Sequence, residues 1–372
     1  MDNNNNDDDN NPIYTDKKHE SSAHAPLKLV YLVWAPFSYR AENLSQRLGA
    51  RLHLTSYKFK NKIYSPIKYP LLFSKSLRIL KAEKPNIIIC QSPPIFCALS
   101  ALVYLYLTGR KKSTTMLVDA HTGSFDKPWV YFKPFNKLIM KRSDVVIVSN
   151  IALQREILHD YGLNSTVLED TIPPDFDNTY QQNIAIKMKT QGENDDDDDG
   201  EDDKLFRVAV ISSFAYDEPL EEVLSSASAL PKVKFYITGD TTKADKQLLK
   251  KKLSNVIFTG FLDRNDYVSL LQHVDVIIVL TKRDRTMLSG AYEALAVEKP
   301  LITSNWTTLK EYFNKGTIYV DNSAEEITKA VQIVQKKKEQ LMKEIHQLKL
   351  EKTKEWDDRF ANFKRLLLHA TQ

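Results

Sequence analysis

The chain has 372 residues, 42% of them hydrophobic and 27% charged, more than one hydrophobic core usually holds, so two domains are expected. Its net charge of +4 conceals a net −4 over residues 1–26 and a net −8 over residues 193–204, which leaves +16 on the remainder. So basic a body suits nucleic acid, anionic lipid head groups or phosphorylated ligands, and composition alone does not choose among them.

Two cysteines, Cys90 and Cys97, are too few for a disulfide framework and lack a metal-ligand spacing, which fits a reducing compartment. The most apolar run, Ile95–Leu107, is too short to span a bilayer, and no stretch resembles a secretory signal. The sequons at Asn43, Asn164 and Asn305 are accordingly read as incidental, and a cytoplasmic location is expected.

Residues 1–26 are too polar to bury anything and are expected to be a disordered tail. From Leu27, short apolar runs at 28–34, 51–55, 86–91, 115–119 and 144–149 read as strands, with helical segments at 40–48, 69–84, 95–108, 129–142 and 150–161 between them. The stretch Tyr57–Lys84 interleaves basic and aromatic residues; RNA binding, contact with an anionic membrane surface and a plain solvated helix all fit it. The tract at 193–204 reads as a solvated linker insertion. Its D-x-D spacings follow from a run of aspartates and mark no metal site, and no metal is expected. A second series of strands then follows at 206–212, 233–238, 255–259, 274–280, 300–304 and 317–320. Strands alternating with helices imply βαβ units, and two such series imply α/β architecture with two Rossmann-like doubly wound domains facing a central cleft. From Ala324 a long charged helical tail ends in the stripe Trp356, Phe360 and Phe363, which should dock across the domain junction.

The chemistry concentrates in Thr281–Trp306. A basic loop with Lys282, Arg283 and Arg285 follows a strand, and a helix begins near Leu288, so Thr286, Ser289 and Gly290 fall where free helix-end N–H groups attract an anion. Glu293, one turn on, can accept two hydroxyl hydrogen bonds, as a ribose diol requires. A solvated loop with a surface glutamate is the competing reading. His121, in Asp119-Ala120-His121-Thr122-Gly123 after a strand, can accept a proton near neutral pH; Asp119 is an orienting group and the second candidate for a base.

The Thr281–Trp306 segment resembles the donor-binding segment of the glycogen-synthase-like GT-B glycosyltransferases. Gln91–Pro94 (QSPP), Val118–His121 (VDAH), Val167–Pro174 (VLEDTIPP) and Ser212–Pro219 (SSFAYDEP) resemble the chitobiosyldiphosphodolichol β-mannosyltransferases. That resemblance implies a donor site in the second domain. There Ser213, Phe214, Gly239, Phe261 and Leu262 line the nucleotide, Arg283, Arg285, Thr286, Ser289 and Gly290 hold the diphosphate, and Glu293 takes the ribose. Two departures stand out: Arg285 occupies the place of the family's first glutamate, and Glu298 that of a glycine. The acids Asp217 and Glu218 stand where a cation is common.

The implied domains are a tail at 1–26, an acceptor domain at 27–173, a linker at 174–204, a donor domain at 205–340 and a docking helix at 341–372. The implied reaction transfers a hexosyl group from a nucleoside diphosphate sugar to an acceptor hydroxyl on a lipid-linked or surface glycan. No cofactor is needed beyond the donor substrate, no nucleic-acid partner is expected, and membrane contact is peripheral, at the inner face. A sugar-nucleotide epimerase and a non-catalytic basic binding protein of the same fold are the alternatives.

Overall fold

The computed structural model describes residues 27–57, 67–176, 205–251 and 253–370. The tail at 1–26, the acidic tract at 193–204 and residues 58–66 of the basic, aromatic stretch lie outside the described residues.

Runs rich in Val and Ile form two six-stranded sheets. The first contains β1 (Leu29–Val33), β2 (Arg51–Leu54), β3 (Ile87–Ser92), β4 (Thr115–Ala120), β5 (Val145–Val148) and β6 (Thr166–Val167), in the order β2-β1-β3-β4-β5-β6. The second contains β7 (Phe206–Val210), β8 (Val233–Thr238), β9 (Val256–Gly260), β10 (Val276–Val279), β11 (Leu301–Ser304) and β12 (Thr317–Val320), in the order β12-β11-β10-β7-β8-β9. Neighbouring strands are parallel throughout. Burial of both faces explains why strands such as Ile87-Ile88-Ile89-Cys90 are continuously apolar rather than alternating.

Helices cover the sheets: α1 (Tyr39–Leu48), α2 (Lys68–Glu83), α3 (Ile95–Leu107), α4 (Lys133–Arg142) and α5 (Ile151–Glu156) in the first domain. The second has α6 (Leu220–Ala229), α7 (Lys246–Leu249), α8 (Arg264–His273), α9 (Ser289–Ala296) and α10 (Thr307–Tyr312). Two first-domain helices differ from the pattern read in the sequence. The segment at 129–142 opens with a 3-10 turn, Trp129–Phe132, and becomes α-helical only at Lys133, where Pro134 suits a first helical turn. The segment at 150–161 widens into a π turn at Ile157–Tyr161 before Gly162 ends it in the left-handed region.

In each sheet the chain reverses direction of growth once, between β1 and β3 in the first and between β7 and β10 in the second. Loops at the carboxyl ends of strands flanking such a reversal bound a crevice, the usual ligand position in open α/β sheets. The last helical segment, α11 (Ala324–Ala370), kinks at Lys337 (φ −122°, ψ 17°) and ties the two units together. Its Val331 and Val334 lie in a second-domain core cluster, whereas Trp356, Phe363 and Leu367 lie with Tyr31, Ile89 and Leu117 in the first. Trp356 Nε1 donates to the Glu169 carbonyl at 3.0 Å, and the Arg47 guanidinium stacks 4.4 Å from its ring. Gly316, at φ +62°, lets the tail pass close, since a Cβ there would lie 2.6 Å from the Leu341 carbonyl oxygen. No helix among the described residues is long and apolar enough to cross a membrane.

Truncating the tail's anchor should loosen the whole fold. Trp356→Ala is expected to destabilise the protein by ~3–5 kcal/mol, the range for large aromatic truncations in a core. Urea unfolding checks this; an unchanged midpoint would show that the tail is only loosely docked.

Candidate active site

The second domain's crevice is built by the loops after β7 and β10. Ser212 and Ser213 follow β7 and fold around Glu218: its carboxylate accepts from the Ser213 amide at 3.0 Å, from the Ser213 hydroxyl at 2.7 Å and from the Ser212 hydroxyl at 2.5 Å. Asp217 accepts from the Thr281 hydroxyl at 2.6 Å, and its carbonyl receives the Lys282 amide at 2.7 Å, which fastens the β7 loop to the β10 loop. The two acids noted at 217 and 218 thus act within the protein, shaping the loops. Phe214 adopts a positive φ of 56°. Gly239, after β8, presses against this loop: a Cβ there would lie 2.3 Å from the Ser212 carbonyl oxygen and 3.0 Å from the Phe214 ring. Ser213, Phe214 and Gly239 therefore come together, and only glycine permits the approach.

α9 begins directly behind this crevice. α9 follows Leu288 and, like α2, α3, α4, α6 and α10, has no side-chain cap on its first N–H groups. Its first turn, Ser289 and Gly290, thus keeps the electropositive character of an open helix end. Gly290 brings that turn onto the end of β7, since a Cβ would lie 2.9 Å from the Ile211 side chain. Thr286 lies one turn before, its hydroxyl 3.4 Å from the Asp284 carbonyl. Glu293 receives the Tyr267 hydroxyl at 2.5 Å. Burial raises the Glu293 carboxyl above its ordinary value, against the opposing pull of Tyr267 and the Arg264 charge. Leu262 is partly buried against the second-domain core, while Phe261 stands 85% exposed beyond β9, apart from the others.

Arg283 and Arg285 are engaged across the cleft. The Arg283 guanidinium pairs with Asp126 and that of Arg285 with Glu156, both carboxylates belonging to the first domain. Lys282 pairs within its own domain, 3.2 Å from Glu222.

In the first domain Asp119 ends up wholly buried in β4. Its carboxylate accepts both contacts of Arg40 Nε, at 3.0 and 3.1 Å, as well as the Tyr31 hydroxyl. Burial would raise its pKa, but the Arg40 charge and then His121 outweigh burial and hold it far below the usual carboxylate range. A carboxylate so stabilised is a poor base and a good orienting group. His121 Nε2 lies 3.1 Å from Asp119 Oδ2, so an ionised Asp119 selects the tautomer with Nε2–H and leaves Nδ1 as the basic nitrogen. Arg40, also bound to Asp170 at 2.9 Å, was not legible as a site residue: it starts an ordinary amphipathic helix, and Asp119 lies 79 positions away. The His121 loop reaches the other domain, since the neighbouring Thr122 hydroxyl donates to the Arg285 carbonyl at 3.0 Å.

Beside it, at the carboxyl ends of β1 and β3, lies a cavity of about 250 Å³ walled by Trp34, Tyr57, Lys68, Tyr69, Pro93 and Trp129, among others. Pro93 separates it from the His121 loop; a Cβ on Gly123 would meet the Pro93 ring at 3.2 Å. Part of the basic, aromatic stretch thus forms a cavity wall. Close in sequence to its wall residues, Phe37, Ile67, Leu71, Val130, Tyr131 and Phe132 are exposed.

Residues 192–351 match the family model described as glycosyl transferases group 1. No curated protein matches the sequence. Among solved structures, a glycosyltransferase from Rickettsia africae is similar over 92% of this chain and 99% of its own, at 14% identity and a TM-score of 0.69. Anabaena HepE in complex with UDP and glucose is similar over 91% of this chain and 100% of its own, at 11% identity and a TM-score of 0.68. Sucrose-phosphate synthase from Thermosynechococcus elongatus is similar over 92% of this chain and 100% of its own, at 12% identity and a TM-score of 0.65. At such identities the likeness establishes the fold: two Rossmann-like domains of the GT-B type with a long C-terminal helix.

Glu293 offers a test of site strain. A carboxyl whose folded pKa is raised contributes stability below its unfolded pKa and loses it as pH rises through the folded value. At neutral pH Glu293→Gln should therefore leave the melting temperature unchanged or higher, whereas below pH ~4, where both states of the carboxyl are protonated, any gain should vanish. Thermal melts across that range check the sign; a clear loss of stability at pH 7 would contradict it.

Proposed function

We propose that this protein is a glycosyltransferase that moves a hexosyl group from a nucleoside diphosphate sugar to an acceptor hydroxyl on a lipid-linked or surface glycan. The observation that carries this reading is the uncapped start of α9 beside a basic loop at the β7/β10 reversal, inside the segment that matches the group 1 family model. Glycosidic bond cleavage leaves negative charge on the departing diphosphate, and helix-end amides and arginine side chains stabilise such charge. Ser213, Phe214 and Gly239 border the nucleotide, and Glu293 takes the ribose hydroxyls. The acceptor hydroxyl gives its proton to His121 as its oxygen joins the anomeric carbon, with Asp119 fixing the imidazole.

The acceptor side rests on the first-domain cavity. Its aromatic and proline walls suit flat apolar or sugar-ring faces, and Lys68 brings a cation to its edge. The exposed apolar side chains close in sequence to its walls suit a surface-bound, amphiphilic acceptor and support the reading of peripheral contact with an anionic membrane. A sugar-nucleotide epimerase would use the same second-domain site but would give this cavity no role.

His121→Ala should lower turnover of the donor by ~10²-fold or more, the scale of general acid–base catalysis, while nucleotide affinity stays near that of the unaltered protein. Turnover and melting temperature measured on one preparation decide the matter. Near-normal turnover would remove His121 from the active site, and lost stability with intact activity per folded molecule would make it structural.

A further inference from the structure

The loop between β10 and α9 does more than line its own domain's crevice. Arg283 reaches Asp126, and Arg285 reaches Glu156 with Asp126 a further 3.8 Å contact. The main chain follows the side chains: the Arg285 carbonyl accepts from the Thr122 hydroxyl at 3.0 Å and from the Asn150 amide at 3.2 Å. Arg285 holds a left-handed φ of 60°, a conformation uncommon for a non-glycine residue and retained where surroundings fix it. One residue of the second domain is therefore lodged between the first-domain loops that follow β4 and β5.

These ion pairs are not what joins the domains. α11 already does so through Trp356, Phe363 and Leu367, and a separate pair, Arg155–Glu311 at 3.3 Å, bridges the surface. Nor are they sealed from water, since the four side chains keep between 18% and 38% of their exposure, where ion pairs exchange readily. A glutamate at position 285 would face two carboxylates and be repelled. An arginine there fits its first-domain surroundings, which gives the departure from the family pattern a physical reason.

We infer that Asp126 and Glu156 are positioning residues of the donor site: they hold Arg283 and Arg285 while the cleft lacks a diphosphate, and they give both arginines up when one binds. The inference rests on the proposed donor site at this loop. A diphosphate brings concentrated negative charge to the same guanidinium groups, so it competes with the two carboxylates and repels them. Donor binding then costs the protein its cleft-spanning pairs, and the carboxylates take the arginines back once the nucleoside diphosphate has left.

Calorimetric titration of the full chain with UDP and with uridine tests the exchange. In the Asp126→Asn/Glu156→Gln variant, UDP is expected to bind about tenfold more tightly, within the usual range of coupling between sites, while uridine affinity is unchanged. When Arg283→Ala and Arg285→Ala are added, the same neutralisation should give no gain. Glu311→Gln serves as the control for general loosening of the domains and should leave UDP affinity as it was. Unchanged or weaker UDP binding in the Asp126/Glu156 variant, or an equal gain in Glu311→Gln, would overturn the inference while leaving the donor site in place. If the arginine changes themselves do not weaken UDP binding, the donor reading falls, and the inference with it.

Discussion

Because every strand pair in both sheets is parallel, each connection must cross over a sheet face, and all carboxyl strand ends of a sheet fall on one edge. That constraint gathers loops distant in sequence: those after β1, β3, β4 and β5 on one side of the cleft, and those after β7, β8 and β10 on the other. α11 then fixes how the two edges meet, because its apolar positions lie in both domains' cores. The candidate site is thus a product of topology before any individual side chain contributes.

Charge organises what topology assembles. The cleft is not a loose field of positive potential, despite the basic composition; its arginines and carboxylates are paired one with another. Two kinds of pair serve different ends. Asp119 and Arg40 lie buried together, where an unmatched charge would be costly, so they form a fixed floor that orients His121. Arg283–Asp126 and Arg285–Glu156 lie where water reaches, so they can be exchanged for another anion. The same two chemical groups give rigidity in one place and reversibility in the other, and burial decides which.

Much of the fold was legible in the sequence. Uninterrupted β-branched runs such as Ile87–Ile89 and Val276–Val279 announce strands buried on both faces, and the observed bounds agree with the reading to within a few residues. Only β6, two residues long, carried too little signal. The apolar stripe of α11 was likewise visible, because a repeat at helical spacing identifies its own face, but its place in the first-domain core rather than at the domain junction was not. Pairings between distant residues were not. Nothing local in the sequence says that Arg285 meets Glu156, 129 positions away, or that Tyr267 meets Glu293, because neither element's periodicity encodes its neighbour across a cleft or between helices. Tyr57 and Tyr69 were noticed for their composition, yet their place in a cavity wall with Trp34 and Trp129 depends on three separate strand ends.

The account stands on a nucleoside diphosphate seated at the β7/β10 reversal of the second domain. Amide hydrogen exchange of the full chain, with and without saturating UDP, GDP or ADP, tests that placement most directly. One of the three should slow exchange at Ser212–Phe214 and at Thr286–Gly290, leaving the first-domain cavity at Ser56–Tyr57 and Lys68–Leu72 unaffected. Protection confined to the first domain, or no protection by any of them, would contradict it.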